Sequence, residues 1–196
     1  MFDYVEPADT NLNSYSYRIH ALLLRASVEV EANCKAILTE NGYVKEQMTM
    51  ADYKKINVTH RLSSYQVKVP HWTGTQGLRS PFAAWAIGGT LPWYGAYNAS
   101  KHDRHTAFSE ATFEHAIDAC CGLLVVLSAQ FETNDFGPGN DHLVFQGPGD
   151  GMESGIGGYF RVRFPDDWPL EERYAFNWQD LKNETDPFQT IDYQTL

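Results

Sequence analysis

Apolar residues recur at three- and four-residue intervals from the second decade of the chain. Ile19, Leu22, Leu23, Ala26, Val30, Cys34, Ile37 and Leu38 form one stripe, which predicts a long amphipathic helix beginning near Ser14 and ended by Asn41-Gly42. Glu31 and Lys35 are spaced to pair on its outer side, and Arg18, His20, Arg25 and Glu29 read as a solvated face. Thr49 with Asp52 three residues on resembles a capping box, opening a shorter helix through Tyr53 and Ile56 that fades near His60. Tyr65, Val67 and Val69 then alternate with polar residues up to Pro70, the signature of a strand, and 71–79 reads as loop.

Ser80-Pro81 predicts a helix start with an apolar stripe of Phe82, Trp85 and Ala86, broken at Gly88-Gly89. A short helix follows from Pro92. After it comes the strongest periodic signal in the chain, Phe108 to Phe131, capped by Thr106 or Ser109, whose second half ACCGLLVVL is apolar nearly all round and predicts the central buried helix. His115 falls on its apolar face and reads as a hydrogen-bonded core histidine. Beyond Asn134 the sequence turns to Gly, Pro, Asn and Asp. Strands are expected at 142–146 and 159–164, with a long Gly-rich loop between, and another at 174–178 within a tail anchored by aromatics. That Gly-rich loop lacks the Lys-Ser/Thr ending of a phosphate-binding loop and opens no helix. Residues 1–13 read as a loosely ordered lead-in.

With 196 residues, 43% of them hydrophobic, a single domain spanning 1–196 is expected, with a core at about 15–132 and a hairpin and wrapping tail over about 133–196. A net charge of -10 disfavours broad non-specific nucleic-acid binding while leaving room for a local cationic surface. The three cysteines, Cys34, Cys120 and Cys121, lie in apolar helical patterns without metal-ligand spacing and read as buried thiols. The opening MFDYVEPADT has no secretory character and no apolar run approaches a bilayer span, so a soluble, cytoplasmic protein without membrane association is the expectation.

The chemistry concentrates in PWYGAYNASKHDRH, residues 92–105. On a helix, Tyr94, Tyr97, Asn98, Lys101, His102, Arg104 and His105 share one arc, and Gly95, Ala96 and Ala99 fall opposite, small enough for another helix to approach. Three readings of this arc stand side by side. In the first, His102 is a general acid/base, Asn98 orients a phosphate or a 2′-hydroxyl, and Lys101 and Arg104 stabilise developing negative charge. In the second, His102 and His105 bind a metal, against the repulsion of the flanking cations and with Asp103 on the wrong side. In the third, Asn98, Lys101 and Arg104 hydrogen-bond between helices and fix the start of the next one.

The run W-x-x-x-Y-N-x-x-K-H-x-R, present as Trp93, Tyr97, Asn98, Lys101, His102 and Arg104 before an apolar helix, resembles a subset of the HEPN superfamily. So does the first helix, EVEANCKAILTENGY, ending in its Gly-containing turn. The resemblance covers roughly residues 15–132. It implies a mainly α, up-and-down four-helix bundle, here with a small antiparallel β-sheet added from residues near 65–69, 142–146 and 159–164. Such domains usually dimerise, and many are metal-independent ribonucleases of toxin-antitoxin, defence or RNA-processing systems. Carried onto this chain, it implies an RNA-directed protein without cofactor or metal, with RNA and a cognate antitoxin or other protein as partners. Its catalytic residues would be His102, Arg104 and Asn98, and its substrate-binding residues Tyr97, Lys101 and His105. The family's commonest pattern is R-N-x-x-x-H. Aligning Asn98 and His102 with it puts Tyr97 in the place of the Arg. The alternative function is a non-catalytic interaction or small-anion-binding module using the same surface.

Overall fold

The computed structural model describes residues 2–3, 5–103, 105–133, 149–169, 182–183 and 190–196. It is mainly helical with a small antiparallel sheet, an α+β arrangement built around two long helices. α1 spans Tyr17–Glu40. Its start is fixed by Ser16, whose hydroxyl accepts from the Ile19 N–H at 3.2 Å. Its end is fixed by Asn41, whose side-chain amide donates to the Ile37 carbonyl at 2.8 Å, followed by Gly42 at φ 75°. Most of the stripe expected from the sequence is buried: Ile19, Leu23, Ala26, Val30, Cys34, Ile37 and Leu38 face the core, and Leu22 alone is half-buried. His20 departs from the expected solvated face. It is buried, its ring centroid 5.3 Å from that of Phe108.

α2 (Met50–Tyr53) opens on the Thr49/Asp52 capping box, and α3 (Ile56–His60) stops at Arg61, which takes a left-handed φ of 52°. Asp52 also accepts from Tyr43 at 2.6 Å and from Lys45 at 2.7 Å, so the box ties the segment after α1 to α2. β1 (Gln66–Lys68) pairs antiparallel with β2 (Leu78–Arg79), a strand within the 71–79 segment whose sequence reads as loop. The 82–86 stripe forms a tight 3-10 turn over Ala83–Ile87, ended by Gly88 at φ 81°. α4 (Pro92–His102) begins with proline at its first position.

α5 (Phe113–Phe131) starts later than the sequence suggested, because the cap is Thr112, not Thr106 or Ser109. Thr106 is occupied otherwise: its backbone N–H and hydroxyl both donate to the Asp103 carboxylate, closing the turn after α4. The true entry is held by the N-terminal segment, where the Phe113 and Glu114 N–H groups donate to the Ser14 and Leu12 carbonyls at 2.7 and 3.0 Å. The supposedly loose lead-in is thus anchored. Ala8 and Leu12 are buried, and Asp9 accepts from the Trp72 indole at 2.6 Å and from the Thr75 and Gln76 N–H groups. That ring of donors holds the Asp9 carboxyl down at about 2.

α1 packs chiefly on α5, with α4 across both. Gly122 makes the α4 contact possible, since a Cβ there would lie 3.3 Å from the Trp93 ring and 3.6 Å from Phe82. α5 is long and apolar enough, at a mean hydropathy of 1.3, to cross a bilayer by length and composition, but 61% of it is buried within the protein, as in a core helix. β4 (Arg161–Arg163) pairs with β1 on one side and with β3 (Glu153–Ser154) on the other, giving the order β2-β1-β4-β3. β3 lies within the expected loop. The strands expected at 142–146 and 174–178 lie outside the described residues.

Between sheet and helix, Arg79 of β2 grips α5. Its Nε and one amino group meet the two Asp118 oxygens at 2.6 and 2.8 Å, and the same amino group reaches Glu114 at 3.0 Å.

Candidate functional site

α4 presents its groups differently from the expected two-arc division. Trp93, Ala96, Tyr97 and Ser100 form the buried face, one every three or four residues. Gly95 points into open space instead of receiving a neighbouring helix. The aromatic rings set this phase. Trp93 packs edge-on against Phe82 with centroids 6.0 Å apart, and its indole donates to the Pro81 carbonyl at 2.9 Å. Counting Tyr97 as polar for its hydroxyl underweighted a ring whose burial dominates its placement.

Tyr97 is fully buried, so its expected role as a substrate-binding side chain is not compatible with its position. Its hydroxyl donates to Glu31 of α1 at 3.1 Å and accepts from Lys101 at 2.8 Å. Tyr94 donates to the other Glu31 oxygen at 2.5 Å, and the Asn98 side chain adds a hydrogen bond to the Tyr94 hydroxyl. The result is a chain of hydrogen bonds from Lys101 through Tyr97 to Glu31, with Tyr94 and Asn98 joining from the other side. Burial, followed by the neighbouring Glu31 charge, pushes Tyr94 far above the ordinary tyrosine range. Burial likewise raises Tyr97. The bond to Tyr97 raises Lys101 and keeps it cationic. Its ammonium also lies over the Tyr97 ring, 4.9 Å from the centroid. Glu31, expected to pair with Lys35, is therefore the structural partner of α4. The signal was present in the sequence: Glu31 sits four residues after Ser27 and three before Cys34, both buried, and so at the edge of the apolar stripe.

Of the remaining candidates, Lys101, His102 and His105 are exposed, Asn98 is half-buried, and Arg104 lies outside the described residues. Lys101 and His102 occupy the last turn of α4, where the carbonyl end of the helix dipole favours cations. Asp103 stands beside them, its carboxyl lowered by its bonds to Thr106. The structure thus divides the notable stretch into an internal half, where Tyr94, Tyr97 and Asn98 bind Glu31 and each other, and an external half carrying Lys101, His102 and His105. Among the described residues no group of three or more His, Cys, Asp or Glu side chains converges as a metal site. His115 is half-buried, with Nδ1 2.7 Å from the Glu110 carbonyl, in keeping with a structural role. Comparison with protein families, curated proteins and solved structures finds no match for this chain.

Proposed function

We propose that this chain is a HEPN-like, RNA-directed protein that binds phosphate through the exposed end of α4 without cleaving it. The observation that carries this reading is the division of α4. Tyr97, at the position where the family pattern has an arginine, is buried and bonded to Glu31 and Lys101, so no group at that position reaches a phosphate. Lys101 has three donors and uses one on Tyr97, leaving a fixed ammonium at the surface beside His102 and His105. Glu31 acts here as a positioning group, since it holds the tyrosine on which the lysine rests.

RNA cleavage is the second reading, favoured by the exposure of His102 one turn after Asn98. A fluorescein-labelled single-stranded RNA and the purified chain test both, with EDTA present throughout. Saturable binding that weakens in Lys101→Ala and loses about one unit of salt slope supports the binding reading. Binding that is absent, or unchanged by Lys101→Ala, rejects it. Degradation by the wild type that disappears in His102→Ala would move the assignment to a ribonuclease.

A further inference from the structure

A cavity of about 120 Å³ lies between the last turn of α5, the sheet and the segment after β4. Tyr65, Phe164 and Trp168 give it aromatic walls, with Tyr65 and Phe164 meeting edge to face at 5.5 Å between centroids. Ser128 lies on its inner side, 1% exposed, and its hydroxyl has no hydrogen-bond partner, although a helical serine ordinarily has a backbone carbonyl within reach. Glu132 and Glu153, both exposed, stand at its outer side, and neither has an ion-pair partner among the described residues.

Glu132, the C-cap of α5, is held at φ 54°, ψ -120°, a conformation that non-glycine residues rarely adopt. None of the described lining residues is basic. His60, whose ring lies 6.0 Å from that of Trp168, is kept neutral near pH 7 by burial.

The geometry points to a site for a small organic ammonium ion, seated against Tyr65, Phe164 and Trp168 with its charge met by Glu132 and Glu153. Aromatic faces attract a cation through the ring quadrupole, and the acids add charge where the ring face alone is weak. An anion would meet two carboxylates. A purely apolar guest would leave both acids and the Ser128 hydroxyl unanswered, and two carboxylates do not make a metal shell. The volume falls well below the roughly 300 Å³ at which drug-sized pockets begin, which limits the ligand to a few heavy atoms. This site shares no residue with α4 and stands whether or not RNA binds there.

The test is calorimetric titration of the full chain with choline, tetramethylammonium and methylammonium, beside 3,3-dimethylbutan-1-ol as the uncharged analogue of choline. At least one ammonium ion binds saturably, and the uncharged analogue binds about tenfold or more weakly. Glu132→Gln with Glu153→Gln, exposed changes that leave the fold intact by circular dichroism, weakens binding about two- to fivefold or more. Trp168→Phe weakens it and removes the fluorescence change that accompanies binding. No saturation by any of the three ions up to about 20 mM, equal binding of the uncharged analogue, or unchanged affinity in the double glutamine variant overturns the assignment.

Discussion

Acidification should loosen this protein through His60 before its carboxylates are reached. His60 is 2% exposed, and burial alone depresses it from 6.5 to about 4. The Thr59 hydroxyl lies 3.0 Å from the Ile56 carbonyl, 2.8 Å from His60 Nδ1 and 2.7 Å from the Tyr193 hydroxyl, so His60 sits in a hydrogen-bonded interior. The ring lies in an interior shared with Trp168, 6.0 Å away between centroids. A folded-state pKa below the unfolded one means that the unfolded chain binds the proton more readily. The stability is therefore complete above about pH 6.5 and is lost as pH falls toward about 4.

A shift of about 2.5 pH units, at 1.36 kcal/mol each, amounts to on the order of 3 kcal/mol, and about 2.5 kcal/mol of it disappears between about pH 7 and pH 4.5. For a domain held by 5–15 kcal/mol this is a large share. Urea denaturation, followed by tryptophan fluorescence and far-ultraviolet circular dichroism at stepped pH, measures it in wild type and in His60→Gln. Carboxylate titrations common to both proteins cancel in the difference. The wild-type stability should fall more steeply than that of the variant across this window. Parallel curves would refute the burial argument.

Three further perturbations probe the frame around the candidate sites. Arg79→Met leaves Asp118, 17% exposed at its side chain, without its bidentate partner and should cost about 3 kcal/mol in urea denaturation; adding Asp118→Asn should recover part of that loss, and no recovery would contradict the charge argument. Gly95→Ala, on an exposed helical position with open space around it, should stabilise by roughly 0.5–1 kcal/mol. Gly74→Ala should destabilise by about 2 kcal/mol or more, because Gly74 has φ +119° and the new Cβ would lie 2.3 Å from the Asp9 carboxyl carbon. A thermal melt in which both glycine variants shift alike would reject the distinction.

The long-range periodicities and local caps were legible in the sequence, because each has a strong physical cause within a few residues. The α1 stripe apart from Leu22, the Asn41-Gly42 stop and the Thr49/Asp52 box stand as read, whereas the helix start expected at Ser80-Pro81 is replaced by a 3-10 turn opening after Phe82. β2 and β3 were not legible, since two residues carry no alternation and each strand exists only through a partner distant in the chain. The start of α5 was misplaced because Thr106, a good cap by type, is engaged by Asp103, while Thr112 is selected by contacts from Ser14 and Leu12 about a hundred residues earlier. In the candidate site, Lys101 and His102 reach the surface as the helical arc implied, whereas His105 lies beyond the end of α4 and is exposed in the turn that follows. Tyr97 did not follow, because a phenol can be both a fully buried ring and a hydrogen-bond donor. Glu31 sits at the edge of the apolar stripe, which marks it as a residue facing a neighbouring helix, but its partners Tyr94 and Tyr97 come from α4 and α1 alone does not name them.

The seam between α1 and α5 has a consequence for the order of assembly. Gln130 donates to Asn33 across it at 3.3 Å, β1 finds β4 about as far along the chain, and Lys55 bonds the Tyr193 carbonyl at 2.9 Å. Loops of that length close late and against chain entropy, so a chain this rich in helix should fold more slowly than its helical content suggests. During synthesis the apolar stripe of α1 emerges long before α5 exists to cover it. Until Phe131 has left the ribosome, that stripe is a surface for chaperones or for other unfinished chains.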